Sequence, residues 1–460
     1  MERLNCIDEF SVTQRGGGRC NFSPEEYEIA GEGGEFLVTV DANIDYTTRE
    51  IDSWVQCKTT EEENVLLVTV EANPSPYPRT TGILFKYEGR SSTLAITQDG
   101  FRKPDYYYSD DFSRDGNVVQ LQKAARGNGI PLIVMGDAYT DRLLEDGKYE
   151  ADVNSAVEAF FSIEPFTSFR DFFNVYMVEA VSINEIYTED AMTAFSTKYR
   201  EGMTVRGDDT KVLEYILKAI PENKVNSSLA IVLMNIEAYG GTTYLVSAMG
   251  EGNYGQGRAI AYVPLCTGKE EFTAVLQHEA GGHGFGKLDD EYAYEQKGEI
   301  PEEEAAQIRR MQSRGFYKNV DFTADPEMIR WHKFIADEQY EYDGIGVFEG
   351  ACTYFTGAYR STENSMMRYN DAPFNAPSRE AIYYRLHKLA YGPDWQYDFD
   401  AFKEYDAINR TPAPEEEEPG EDEPGEDDSG QILDESPVMS AKPPVALRRR
   451  PLPHPIVVVQ

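Results

Sequence analysis

The stretch VLQHEAGGHGFGKLDDEY, Val275 to Tyr292, decides how the larger part of the chain is read. It holds His278 and His283, with Glu279 directly after the first and the acidic run Asp289-Asp290-Glu291 shortly after the second. Zinc binds imidazole and carboxylate, and a catalytic site keeps three protein ligands beside an open position. Histidines four apart in a helix face one side. These are five apart, and at ~100° per residue a regular α-helix would set them about 140° from each other. Two devices restore a shared face. A π-bulge, with its i→i+5 hydrogen bond, absorbs the additional residue, and Gly281-Gly282 relaxes the steric limits on the backbone. The expectation is therefore a bulged helix whose His278 and His283 bind one Zn2+, with Glu279 as the general base that activates water.

Gly286 lets the chain turn sharply after His283 and present Asp289 or Asp290 as a third, oxygen ligand. Far downstream, ENSMMRYN (363–370) sets Met367 two residues before Tyr369. Together with VMGDAYT (134–140) and YGGTTYL (239–245), these segments resemble the IgA-specific metalloendopeptidase family, metzincin-like zinc peptidases, over about residues 104–405. The resemblance implies peptide-bond hydrolysis. It makes His278 and His283 the two motif histidines, Glu279 the catalytic glutamate and Met367 the Met-turn methionine that floors the zinc site. The family motif ends in Asp-Glu-Tyr, matched by Asp290-Glu291-Tyr292, so Asp290 is the preferred third ligand, whereas bare HxxGxxD spacing selects Asp289. Tyr369 is a candidate oxyanion donor or additional ligand. The inserted glycine departs from the family's usual HExxH.

Working outward, residues 1–102 read as an all-β domain. Strand-like alternation appears in EFLVTV (35–40), NVLLVTVEAN (64–73), GILFKY (82–87) and TLAITQ (93–98), separated by clusters such as Gly16-Gly17-Gly18 and NPSPYPR. In GILFKY, Ile83, Phe85 and Tyr87 share a face, as a half-buried strand requires, and the spacing predicts a small β-sandwich. Trp54, Asn73, Arg79-Thr80-Thr81-Gly82-Ile83 and Ile96-Thr97-Gln98-Asp99-Gly100 resemble a BACON-type immunoglobulin-like module. That resemblance implies a domain of secreted or surface enzymes of gut bacteria, with glycan or mucin as its partner.

From residue 103 to 407 strands and helices alternate. GIPLIVMG (129–136), VYMVEAVSI (175–183) and SLAIVLMNI (228–236) read as strands, and Asp141 to Phe161 as one helix with Leu143, Leu144, Val153, Ala156, Val157 and Phe160 at helical spacing. Parallel strands with intervening helices predict an α/β (α+β) metzincin-like zinc peptidase domain, and the chain as a whole is expected to be multidomain. Residues 408–460 pass through TPAPEEEEPGEDEPGEDDSG, which is too poor in apolar surface to fold, to Arg448-Arg449-Arg450 and a short apolar end, IVVVQ. They are expected to form a disordered acidic Pro/Gly-rich tail.

Composition bounds the partners. The formal charge of −38 over 460 residues excludes nucleic acid and anionic membrane surfaces as natural partners. No run approaches the ~20 apolar residues of a membrane span. Five cysteines, Cys6, Cys20, Cys57, Cys266 and Cys352, make no scaffold, although a Cys266–Cys352 bridge is allowed. Asp208-Asp209 and the acids after His283 offer calcium oxygens but no EF-hand spacing, and His332 and His387 are alternative zinc ligands that read as residues of ordinary helices. The start, MERLNCIDEF, lacks the apolar core of a leader. A secreted or cell-surface protein whose leader is absent from this sequence is expected, with a cytoplasmic one as the alternative.

The functional expectation is thus a zinc-dependent endopeptidase of an extracellular, host or mucosal, IgA-like glycoprotein, acting as a monomer. The alternative is an impaired zinc-peptidase-like protein serving as a glycan- or glycoprotein-binding module.

Overall fold

The computed structural model describes residues 18–199, 203–247, 252–413 and 452–459. Cys6, Gly16, Gly17, the acidic block from 414 on and Arg448-Arg449-Arg450 lie outside them. The chain divides into two compact units, Met1–Tyr108 and Ser109–Gln460.

The first unit is β-rich. Strands β1 (Cys20–Ser23), β3 (Gly34–Ala42), β6 (Val65–Val70) and β5 (Val55–Thr59) form one sheet, and β2 (Glu26–Ile29), β8 (Arg90–Gln98), β7 (Arg79–Tyr87) and β4 (Thr47–Glu50) form another. Both sheets are half-buried, so the period-2 pattern is plain: Phe36, Val38 and Val40 of β3 are buried and Leu37 between them is 56% exposed. Val38, Val68, Ile83, Phe85, Leu94 and Ile96, drawn from both sheets, share one core.

The second unit is mixed α/β. Its sheet is built from β9 (Val118–Gln122), β10 (Ile130–Asp137), β11 (Phe173–Val178), β14 (Leu229–Met234), β15 (Thr242–Ser247) and β16 (Ala259–Pro264), with a short hairpin of β12 (Lys198–Tyr199) and β13 (Val205–Arg206) standing apart. β16, β14, β10 and β11 run parallel, while β15 is antiparallel to β16 and β9 antiparallel to β11. The parallel strands are covered on both faces, which is why they read as unbroken apolar runs. Leu132 and Val134 of β10 enter one core together with Val153 and Phe160 of α2 (Lys148–Phe161); Ile133 and Met135 enter the other with Val212 and Ile216 of α3 (Asp209–Ala219).

Two expectations are corrected here, and one allowed bridge is not formed. The single helix over 141–161 is two, α1 (Asp141–Glu145) and α2, because Gly147 between them takes a left-handed φ of 83° that ends the first. Cys266 and Cys352 are both unbridged thiols, as are Cys20 and Cys57. The tail over 408–460 is not wholly without structure: β21 (Ile456–Val459) pairs parallel with β15, which supplies the backbone partners that a four-residue apolar end lacks by itself.

Beyond β16 come α4 (Lys269–Leu276), α5 (Glu302–Ser313), α6 (His332–Ile335), α7 (Met366–Tyr369), α8 (Ala376–Tyr391) and α9 (Phe399–Asp406), with a second small sheet of β17 (Ala293–Glu299), β18 (Val320–Asp321), β19 (Phe348–Ala351) and β20 (Thr353–Arg360). No helix among the described residues is long and apolar enough to cross a membrane.

Candidate metal centre

Helix α4 runs without a break into a π-helical segment, Gln277–Phe285, in which Gly286 N–H donates to the Gly281 carbonyl at 2.8 Å, an i→i+5 bond. This winding is what the five-residue spacing of His278 and His283 requires: both rings come to one side, 4.7 Å apart between centroids. The glycines let the segment lie where it does. A Cβ on Gly282 would stand 2.2 Å from Met367 Sδ, and one on Gly286 would meet the Gly282 carbonyl oxygen at 2.8 Å. Lys287 then takes a φ of 54°, Leu288 N–H returns to the Gly282 carbonyl at 3.1 Å, and the turn delivers Asp289 and Asp290 back toward the histidines.

Three side-chain atoms converge. Asp290 Oδ1 lies 3.3 Å from His278 Nε2 and 3.3 Å from His283 Nε2, and all three residues are fully buried. Each of the three atoms is sealed from solvent and lacks a hydrogen-bond partner. Both imidazoles are oriented from behind, with Nδ1 of His278 2.9 Å from the Met366 carbonyl and Nδ1 of His283 2.9 Å from the Leu288 carbonyl. A carbonyl only accepts, so each Nδ1 carries the hydrogen and each Nε2 turns a lone pair inward. Two ligands about 2.0–2.1 Å from one tetrahedral ion stand roughly 3.3–3.4 Å apart. The donor set therefore fits a divalent ion with nitrogen and oxygen ligands.

The electrostatics agree. Burial opposes charge on both members of the His283–Asp290 pair, yet their mutual attraction holds His283 above its ordinary value and Asp290 well below the carboxylate range.

Glu279 is fully buried next to this cluster. Its carboxyl is raised by burial, with His283, His278 and Thr243 pulling the other way. The Thr243 hydroxyl lies 2.8 Å from Oε2 and 2.9 Å from the Glu279 carbonyl oxygen, while Oε1 accepts no hydrogen bond. Thr243 lies on β15, so the sheet positions the glutamate.

Asp289 sits apart from the histidine pair. Its Oδ1 accepts from Asp290 N–H at 2.9 Å, and Asn319 clamps its backbone on both sides. Glu291 is fully buried and accepts from Ser365, Asn319 and Asn375, while its N–H donates to the Met367 carbonyl at 2.8 Å. This carboxylate ties the acidic loop to the α7 turn, whose Met366 carbonyl orients His278. Met367 is fully buried against Gly282. Tyr369 ends the same turn, half-buried, with the Arg368 guanidinium 4.6 Å from its ring.

The alternative ligands lie elsewhere. Nδ1 of His332 is 3.0 Å from the Ile329 carbonyl, and His387 is packed among Phe169, Phe172, Tyr383 and Trp395. Asp208 caps α3 and Asp209 accepts from the Tyr262 hydroxyl, so neither is committed to calcium. Thr243, Asn319, Ser365, Asn375 and His454 were not singled out by sequence reasoning as parts of the site, and Glu291 was named only within the acidic run and the Asp290-Glu291-Tyr292 motif end. Thr243 and Ser365 each had a signal, inside the YGGTTYL and ENSMMRYN segments.

Residues 119–341 match the sequence model of the IgA peptidase M64 family, and residues 50–99 match BACON, described as an N-terminal binding domain. These are the family and the module that the sequence resembles, and the matched family is one of peptidases. The peptidase match ends before Met367 and Tyr369. No curated protein matches the chain. Among solved structures, a protein from Bacteroides thetaiotaomicron determined by NMR is 16% identical over 21% of this chain and 98% of its own, with a TM-score of 0.16. A Bacteroides ovatus GH5 xyloglucanase in complex with a XXXG heptasaccharide is 13% identical over 47% of this chain and 46% of its own, with a TM-score of 0.17.

Proposed function

We propose that the Ser109–Gln460 unit is a zinc-dependent endopeptidase with a metzincin-like catalytic fold, its ion held by His278, His283 and Asp290 and its general base supplied by Glu279. The observation that carries this reading is the convergence of three sealed, unpartnered donor atoms beside a buried glutamate. The peptidase match supports the reaction class. The nitrogen and oxygen donor set favours zinc.

A zinc ion bound there supplies Lewis acidity toward the scissile carbonyl and makes water easier to deprotonate. Glu279 accepts the proton of the attacking water at Oε1, because Thr243 already occupies Oε2, and then hands it to the leaving amine nitrogen. Burial gives the carboxylate the raised proton affinity that this shuttle needs. Met367 floors the site from below Gly282, and Tyr369 is the candidate donor to the oxyanion. The substrate is an extracellular protein or glycoprotein, host or mucosal, and the N-terminal module engages its glycan. The protein works as a monomer, secreted or at the cell surface. The competing view, an impaired zinc-peptidase-like protein serving as a glycan- or glycoprotein-binding module, draws its force from the five-residue histidine spacing, and the π-helical winding of that spacing supports the enzyme reading instead.

Elemental analysis of the purified chain beside His283→Ala and Glu279→Gln tests the reading. Zinc near one per chain in wild type and Glu279→Gln, little in His283→Ala, and peptide cleavage only by wild type are expected. A wild-type chain that takes up no zinc when it is supplied would overturn it.

A further inference from the structure

We infer that the chain's own segment Leu452–Val459, paired along the outer side of β15, is a strap that holds the metal site closed. The inference rests on the peptidase reading above and adds a means of control to it.

β15 is antiparallel to β16 on one side, and on the other it pairs with β21 in the register Tyr244↔Ile456 and Leu245↔Val457. The same strand carries Thr243, whose hydroxyl binds Glu279, so this edge runs directly beside the proposed base. Upstream of β21 the segment is anchored twice more. Leu452 is 1% exposed and its carbonyl accepts from the Tyr292 hydroxyl. His454 Nδ1 lies 2.7 Å from Asp290 Oδ2, on the other oxygen of the carboxylate whose Oδ1 faces His278 and His283. Pro453 and Pro455 flank this histidine and favour an extended backbone before binding, which lowers the ordering cost.

A hydrolase of polypeptides has to bring a chain to Glu279 and the three donors. With the segment in place those atoms are sealed from solvent. Strand addition to a free sheet edge is a general way to hold an extended peptide, since backbone hydrogen bonds ask little of sequence. A tethered segment on such an edge competes as though it were present at millimolar concentration. An incoming substrate must therefore displace Leu452–Val459, and a chain relieved of it is open from the start.

The test compares the full chain with one ending at residue 451 and with Val457→Pro in the full chain, which removes one backbone donor from β21. Three readouts are used: hydrogen exchange of the 242–247 amides, anisotropy of a labelled LPHPIVVVQ peptide, and cleavage of a quenched fluorogenic peptide library with zinc content measured in parallel. We expect faster exchange in both variants, saturable binding of the peptide to the shortened chain but not to the full one, and a rise in kcat/KM of roughly tenfold that added peptide reverses. Unchanged exchange together with no peptide binding overturns the strap, whatever the cleavage rates. Slower cleavage by both variants that added peptide restores also overturns it and makes the segment a structural part of the site. Peptide binding and faster exchange with no cleavage by any form support the strap while sinking the peptidase reading.

Discussion

At the scale of single residues the site distinguishes two neighbouring carboxylates that the spacing of the sequence could not. Asp290 Oδ1 faces both imidazoles, whereas Asp289 spends Oδ1 on the Asp290 amide and has its backbone clamped by Asn319. Asp290→Asn should therefore lower zinc affinity by more than about 100-fold, beyond the 10–100-fold typical of residues that only support a ligand. Asp289→Asn should leave affinity within that supporting range, as read by competition with a fluorescent zinc chelator. Equal losses would mean that the ligand is misassigned. Gly282 makes a sharper demand on space. A Cβ there would overlap Met367 Sδ at 2.2 Å with Cε at 2.9 Å, in a fully buried setting, so Gly282→Ala must push Met367 out of its place. We expect a loss of about 1–3 kcal/mol in denaturant unfolding and weaker zinc binding. Gly281→Ala, whose Cβ meets Phe166 at 3.1 Å, should be milder.

At the scale of elements, three pieces far apart in sequence are fastened by one buried carboxylate. Glu291 accepts from Ser365 just before α7, from Asn375 at the N-cap of α8, and from Asn319 ahead of β18. Glu291→Ala strands these buried donors, at a cost on the order of 3 kcal/mol. It should also weaken zinc binding although Glu291 touches no donor atom, because the Met366 carbonyl that orients His278 sits on the turn it secures. Urea unfolding with parallel zinc titration checks both, and a stability loss with zinc affinity intact would refute the coupling. Such a fastening explains which parts were legible beforehand. The apolar runs of β10 and β14 announced strands because they are buried on both faces, and the histidine spacing announced a bulge because helix geometry leaves few alternatives. Gly147 was visible inside the expected helix, but its left-handed φ depends on the chain around it. The partnership of Thr243 with Glu279 and the clamp of Asn319 on Asp289 are tertiary facts between residues 36 and 30 positions apart, and no local pattern encodes them. The strand of Ile456–Val459 was illegible for the same reason, since its partner is an edge more than 200 residues away.

At the scale of the whole molecule, the two units carry separate cores, one built from the β-sandwich residues around Val38 and Ile83 and the others from residues of the second unit around β10 and β14. Every residue proposed to hold the ion belongs to the second unit. Binding that is confined to one folded unit stabilises that unit alone, by about 4 kcal/mol when the ligand is present at 1,000 times its Kd. For a unit of this size that corresponds to roughly 5–10 °C in Tm. Calorimetry of the chain should accordingly resolve two transitions. Chelation should lower the one belonging to Ser109–Gln460 and leave the other in place, and zinc should restore it. His283→Ala should sit at the chelated position with or without zinc, which separates loss of the ion from any direct action of the chelator. A single transition that moves as a whole on chelation would mean that the two cores unfold as one, and an ion bound by the second unit would then govern the stability of the N-terminal module as well.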